Sequence, residues 1–270
     1  RRRAPRTPRS SPTRRSPDLP VPKALGGGGA SLPQARKAIS AIAKGEPSTA
    51  LILVMQYLQH TRLQDSKTWP AHLRTQVAED AVRNGALINA LRVEPDLGTP
   101  ARGGLPATTA VRTAEGWRIS GRKIYSTGSH GLSWFSVWGR SDDADPLVGA
   151  WLVPKDSPGI SIIDTWDHLG MRATCSHEVV FDNVLVPLDH AVSVSPWSAP
   201  QAELDGDGFL WMSVLLYLLT LLFVVVFVVD DGVIIAVAVV VVVHVVVVVV
   251  GCLFVVVVVD DDVSVAVVVV

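Results

Sequence analysis

TTAVRTAEGWRISGRKI, Thr108–Ile124, decides how the chain is read. Apolar and polar residues alternate through Thr108–Thr113 and again through Trp117–Ile124. Ala114-Glu115-Gly116 supplies a turn between them, so the stretch predicts a β-hairpin. The period of two continues downstream. Ser133–Gly139, Val148–Val153, Gly159–Ile163, His177–Phe181 and Val184–Val186 read as short strands, separated by turn-rich Ser141–Pro146, Lys155–Gly159 and Asp182-Asn183. Seven short strands with no helix between them describe an antiparallel barrel or sandwich. Trp117, Trp134, Trp138, Trp151 and Trp166 are expected to fill its core.

Upstream the period lengthens, and residues 31–90 read as helices. Ser31 is the N-cap of the first, with Pro33 in its opening turn. Ala35, Ile39, Ile42 and Ala43 give it one apolar face. Pro47 restarts a helix that runs to about Leu63, and Trp69-Pro70 begins a third that Asn84-Gly85 stops. His60 and His72 have no second ligand at metal spacing and are expected as surface or boundary histidines. Gly26–Gly29 follows no strand and precedes no Lys-Ser/Thr, so it reads as a flexible turn and not a phosphate loop.

The two ends differ from this middle. Residues 1–23 carry eight of the 24 Lys and Arg, while 209–270 carry none and hold 30 valines. Residues 1–19, rich in Arg, Ser and Pro and without an apolar run, read as a disordered or non-native leader and not a secretory signal. Phe209–Val229 and Val233–Val259 are long enough to cross a bilayer. Poly-Val is nevertheless a poor helix former, and Asp pairs and triplets stand where Lys or Arg anchors belong, so 223–270 reads as a low-complexity tail. Between the ends, 16 basic and 19 acidic residues give no reason to expect a nucleic-acid partner. Cys175 and Cys252 are too few for a disulfide framework, which makes the cytoplasm the expected compartment.

GWRISGRKIYSTGS (Gly116–Ser129), GAWLVPKDSPGISI (Gly149–Ile162) and LGMRATCSHEVVFDNVLVP (Leu169–Pro187) together resemble the middle domain of the acyl-CoA dehydrogenase superfamily. VEPDLGT (Val93–Thr99) resembles that family's TEP-x-x-G-S stretch, and VPKALGGGGAS (Val21–Ser31) its entry into the helical domain. The resemblance implies an α+β multidomain fold. It places a truncated helical domain at 20–97 and a flavin-binding β-barrel domain at 98–195. A linker and the start of a C-terminal four-helix bundle would occupy 196–222, with the valine tail replacing the rest of the bundle.

It also implies FAD, lodged between β-domain and bundle. Tyr125 and Thr127 match the K-x-W-x-T positions beside the flavin ring. Gly98 and Thr99 match the Gly-Ser pair near the ring and pyrophosphate, and Arg92 and Val93 lie on the strand leading there. The implied reaction is oxidation of the CH–CH group of an acyl-CoA thioester, with an electron-transfer flavoprotein as partner and a homo-oligomeric whole. The family's carboxylate base falls within the missing bundle, and Glu203 lies in the linker, so no catalytic residue is assigned. KIYSTG in place of K-x-W-I-T-N-G leaves a second reading open. It resembles a branch of monooxygenases that take reduced flavin (FMN in place of FAD) from a reductase and act on apolar organic compounds. An inactive fragment or a membrane-anchored non-enzyme are the readings from another class.

Other residues are expected to be structural. Arg172 reads as a buried guanidinium tying strands together, His168 and His177 as satisfied or solvent-facing imidazoles, and Cys175 as lacking the base a nucleophile needs. No metal site is assigned.

Overall fold

The computed structural model describes residues 16–97, 104–198, 255–259 and 265–269. Three helices open the chain: α1 (Leu32–Ala43), α2 (Pro47–Asp65) and α3 (Ala71–Asn84). Each start follows from local chemistry. The Gln34 carboxamide accepts hydrogen bonds from the Ser31 amide and hydroxyl, Glu46 caps the amides of Ser48 and Thr49, and Pro70 precedes α3. Ala35, Ile39 and Ala43 of α1 pack with Ala50, Leu53, Val54 and Tyr57 of α2. The glycine run before α1 is a packed turn and not merely a flexible one. A Cβ on Gly27 would stand 2.4 Å from the Val21 carbonyl oxygen and one on Gly28 2.7 Å from that of Leu19. Packing also reaches into the expected leader, where the Pro17 carbonyl accepts from Gln56 and Asp18 is buried.

Eight strands form one sheet: β1 (Leu87–Leu91), β2 (Thr109–Arg112), β3 (Trp117–Lys123), β4 (Leu132–Ser141), β5 (Leu147–Pro154), β6 (Ile160–Ile163), β7 (Glu178–Val186) and β8 (Ala191–Pro196). Their order is β6-β7-β3-β2-β4-β5-β8, with β1 also on β4. The expected hairpin is present, Thr109–Arg112 pairing antiparallel with Trp117–Ser120. Two valine-rich strands, β9 (Val255–Val259) and β10 (Val265–Val269), form a separate antiparallel pair.

Three expectations change. The sheet is mixed and open, not a closed antiparallel barrel. β1 and β2 both run parallel to β4 along one of its edges, β1 against Leu132–Val137 and β2 against Arg140–Ser141. The outermost strands β6 and β8 do not pair. β8 places Val192 in one cluster with Leu73 and Val77 of α3, on the outer face of the sheet that the helical layer covers. Second, Asp182-Asn183 does not end a strand. β7 runs through it, and Asn183 absorbs the irregularity with φ +53°. Third, Leu87–Leu91, inside the stretch 31–90 expected to be helical, forms β1; it carries no two-residue alternation because its residues divide between two buried faces.

The sheet curls around its own core. Phe135 of β4 meets Phe181 of β7 with ring centroids 6.0 Å apart, and Trp117 of β3 meets Trp151 of β5 at 5.6 Å. Trp134 instead faces the helices and donates to Asp80. Gln56 of α2 lies against β1, accepting from the Ile88 amide at 2.7 Å and donating to the Ala86 carbonyl at 3.1 Å. His60, one turn further along α2, is 2 % exposed and not a surface residue. Its Nε2 has no hydrogen-bond partner among the described residues, and burial pushes its pKa down to about 4. Among the described residues, no helix is long and apolar enough to cross a membrane. The two apolar stretches of the tail fall almost wholly outside those residues.

Candidate functional site

Where β3 ends, the connection to β4 is fastened on three sides. The Ile124 amide donates to the Val93 carbonyl at 3.0 Å, joining it to the exit of β1. Ser126 and Gly128 donate to the carbonyls of His177 and Thr174, and the Ser129 hydroxyl donates to that of Cys175. Asn89 of β1 donates its side-chain amide to the Thr127 carbonyl at 3.0 Å. The Tyr125 amide finds no acceptor among the described residues. Tyr125, Met171 and Cys175 are left-handed, at φ +54°, +55° and +45°. They are three of the four non-glycine residues with positive φ among the described residues. Such conformations cost about 1–3 kcal/mol each and persist where surrounding contacts over-determine them.

An aromatic wall stands on this turn. The Tyr125 ring is 53 % exposed and meets Trp166 and His168 edge-on, both at 6.1 Å. Trp166 and His168 stack at 3.8 Å, and the Trp166 indole N–H donates to the Met171 carbonyl. Trp166 is therefore part of this surface and not a core filler. Arg172, expected to be buried, is exposed, its guanidinium 3.5 Å from Asp167.

Next to the wall runs a line of hydroxyls. Thr127 Oγ1 lies 3.1 Å from Ser176 Oγ, which lies 2.8 Å from Thr174 Oγ1, which donates to the Met171 carbonyl at 2.8 Å. On the far side, His130 and His177 share Asp164, at 2.7 and 3.6 Å from their Nε2 atoms. These three groups lie close enough together to hold a metal ion. However, His177 Nδ1 accepts the Trp166 amide N–H, so its own proton belongs on Nε2 and faces the carboxylate. The trio is built as a hydrogen-bonded cluster.

Beneath the turn lies a buried ion pair that spacing alone did not single out. Lys123 Nζ is 2.7 Å from Glu94 Oε1, and both side chains are shut off from solvent. Glu94 also accepts from the amides of Ala107 and Thr108 and from the Thr108 hydroxyl. Burial pushes the Lys123 pKa down to about 8 against the pull of Glu94. Burial pushes the Glu94 carboxyl up, but the bonds from Lys123 and Thr108 outweigh it and hold it below the usual carboxylate range. The pair ties Glu94, and through it Ala107 and Thr108, to the strand that delivers Tyr125.

Of the residues singled out in the sequence, Val93, Tyr125 and Thr127 come together here. Arg92 directs its guanidinium over the Trp138 ring, 4.7 Å from the centroid. Gly98 and Thr99 lie outside the described residues. Sequence reading missed Asn89, Trp166, His168, Thr174 and Ser176. Each acts through a contact made across the sheet; Thr174 and Ser176 lie within the Leu169–Pro187 run, but nothing in its spacing marks them.

Residues 92–184 match the family described as acyl-CoA dehydrogenase, middle domain. YdbM of Bacillus subtilis (strain 168), which is named as an acyl-CoA dehydrogenase, is 36 % identical over 168 residues, covering 62 % of this chain and 44 % of that protein. The L-evernosamine nitrososynthase of a Micromonospora species is 31 % identical over 191 residues, covering 66 % and 42 %. Among solved structures, KijD3 in complex with FMN and a dTDP-linked amino keto sugar superposes with a TM-score of 0.64 at 26 % identity, covering 76 % of this chain and 50 % of that one. The chain thus spans about half the length of the relatives it matches.

Proposed function

Residues 92–184 carry the middle domain of the acyl-CoA dehydrogenase family, and from that premise we propose that the chain is the flavin-holding part of a flavin-dependent oxidoreductase. The observation that carries the reading is the half-exposed aromatic wall of Tyr125, Trp166 and His168, set beside a Tyr125 amide with no acceptor among the described residues and the Thr127 hydroxyl. A flat heteroaromatic ring with one polar edge fits that donor and acceptor set. When bound, FAD or FMN would supply the two-electron chemistry at N5. The chain's own contribution is to cover one flank of the ring, exclude water there, and set hydrogen bonds at its edge. Gly98 and Thr99 are assigned by motif to the ring and phosphate side, and Arg92 and Val93 to the strand that approaches it.

Two reactions suit this site. Oxidation of an acyl-CoA thioester, with an electron-transfer flavoprotein as acceptor, is supported by the name of the Bacillus relative. Oxygenation by reduced flavin from a reductase is supported by the nitrososynthase relative, by the FMN-bound KijD3, and by the hydroxyl line at Thr127.

The test is titration of the full chain with FAD and FMN, read by quenching of Trp166 fluorescence in a variant whose other tryptophans are phenylalanine. Saturable quenching is expected with at least one flavin; its absence with both would refute the proposal. Anaerobic bleaching of bound flavin by an acyl-CoA panel, set against reductase-dependent O2 consumption, then separates the two reactions.

A further inference from the structure

The aromatic wall is fastened at one point by a group that titrates. The Trp166 backbone amide donates to Nδ1 of His177 at 3.1 Å, a ring nitrogen and not a carbonyl. The other fastening, the Trp166 indole N–H on the Met171 carbonyl, has no such acceptor. In the neutral imidazole Nδ1 keeps its lone pair, while Nε2 carries the proton and faces Asp164 at 3.6 Å. The imidazolium carries a proton on both nitrogens. Its Nδ1–H would oppose the Trp166 N–H, leaving two donors 3.1 Å apart with no acceptor between them.

The surroundings favour the charged ring. The His177 side chain is 13 % exposed, and Asp164 meets it from the connection after β6. His130, just before β4, stands with its ring centroid 4.9 Å away and shares that carboxylate at 2.7 Å. Lys155, after β5, donates to the His130 carbonyl, and Glu178, next along β7, is paired with Arg122 of β3. His168 stacks on the Trp166 ring itself.

We propose that His177 is a proton-operated latch: when Nδ1 takes a proton from water, the Trp166 amide is released and the aromatic wall loosens. The latch belongs to the wall and not to any one ligand, so it does not depend on the flavin reading. Whatever the wall covers, its grip weakens in acid, within the range of about pH 5–8 where imidazoles ordinarily titrate.

Nuclear magnetic resonance of the full chain reads both halves of the latch. Ring-nitrogen shifts report protonation of His177, and hydrogen exchange, corrected for its intrinsic rate, reports protection of the Trp166 amide. Protection is expected to fall at least about tenfold as His177 takes its proton. The Ser126 amide, bonded to the His177 carbonyl, should keep its own protection. His177→Asn places Oδ1 near the position of Nδ1, an acceptor that takes no proton, and should hold Trp166 protected throughout. Asp164→Asn removes the charge that favours the imidazolium and should move both readouts together toward lower pH. In the wild-type chain, level Trp166 protection while His177 protonates overturns the proposal. So does a His177 that stays neutral until the chain unfolds in acid. A decline that survives in His177→Asn, or readouts that separate in Asp164→Asn, overturns it too, by placing the sensing group elsewhere.

Discussion

Replacing Lys123 by Met tests whether the buried ion pair holds the site together. The side chain is 0 % exposed, and its nitrogen lies 2.7 Å from Glu94, which is itself almost wholly buried. Met fills nearly the same volume, so the loss is chiefly electrostatic. Removing one member of a buried pair costs about 3–5 kcal/mol, because the other charge is left uncompensated. Glu94 keeps three donors, the amides of Ala107 and Thr108 and the Thr108 hydroxyl, which puts the expected cost near the lower bound of about 3 kcal/mol. For a chain of this size that is a fall of about 6–12 °C in the unfolding midpoint. Adding Glu94→Gln to Lys123→Met removes the stranded charge, so the double variant should lose less than the sum of the singles, by about 2 kcal/mol.

pH provides an independent readout of the same pair. The Lys123 pKa is about 8 in the folded chain and 10.5 in its unperturbed state. The unfolded chain therefore holds more protons between those values, and stability contributed by this group rises as pH rises from about 8 to 10.5. Lys123→Met should lack that rise. Urea unfolding followed by tryptophan fluorescence measures both effects. A Lys123→Met variant within about 1 kcal/mol of the parent, or strict additivity in the double variant, would refute the reasoning.

Three further outcomes are expected. Tyr125→Ala combined with Thr127→Val should weaken flavin binding at least tenfold with little change in unfolding midpoint, and unchanged occupancy would count against the site. His60 is held at a pKa of about 4 in the fold, so the unfolded chain binds the extra proton first and stability falls as pH drops from 6.5 toward 4. His60→Leu should flatten that decline by about 3 kcal/mol, as seen in urea midpoints across the range. Gly159 has φ +93°, and a Cβ there would stand 2.2 Å from the Asp182 carbonyl oxygen. Gly159→Ala should therefore destabilise by about 2 kcal/mol or more, and a neutral result in thermal unfolding would argue against the β6–β7 approach.

The hairpin at Thr108–Ile124 and the three helices were legible because each rests on local signals, namely alternation around a turn, or caps bracketing an apolar stripe. β1 was not, since Leu87–Leu91 divides its side chains between two cores and so shows no single period. Openness of the sheet was likewise hidden. It follows from the strand order β6-β7-β3-β2-β4-β5-β8, set by pairings between strands distant in sequence. At the site, Tyr125 and Thr127 stood in a recognisable run. Trp166 stood in none, and Ser176, though inside Leu169–Pro187, showed no role there, because both act only when the connection after β6 folds back against the turn after β3.

Gln56 mimics a missing strand. Its carboxamide satisfies the Ala86 carbonyl and the Ile88 amide at the entrance of β1, as a neighbouring backbone would. An unpaired sheet margin is a template for other chains, and a side-chain amide laid across it removes that invitation without adding a strand. Growth of this sheet by intermolecular pairing is thereby steered away from β1 and toward its two other margins, β6 and β8.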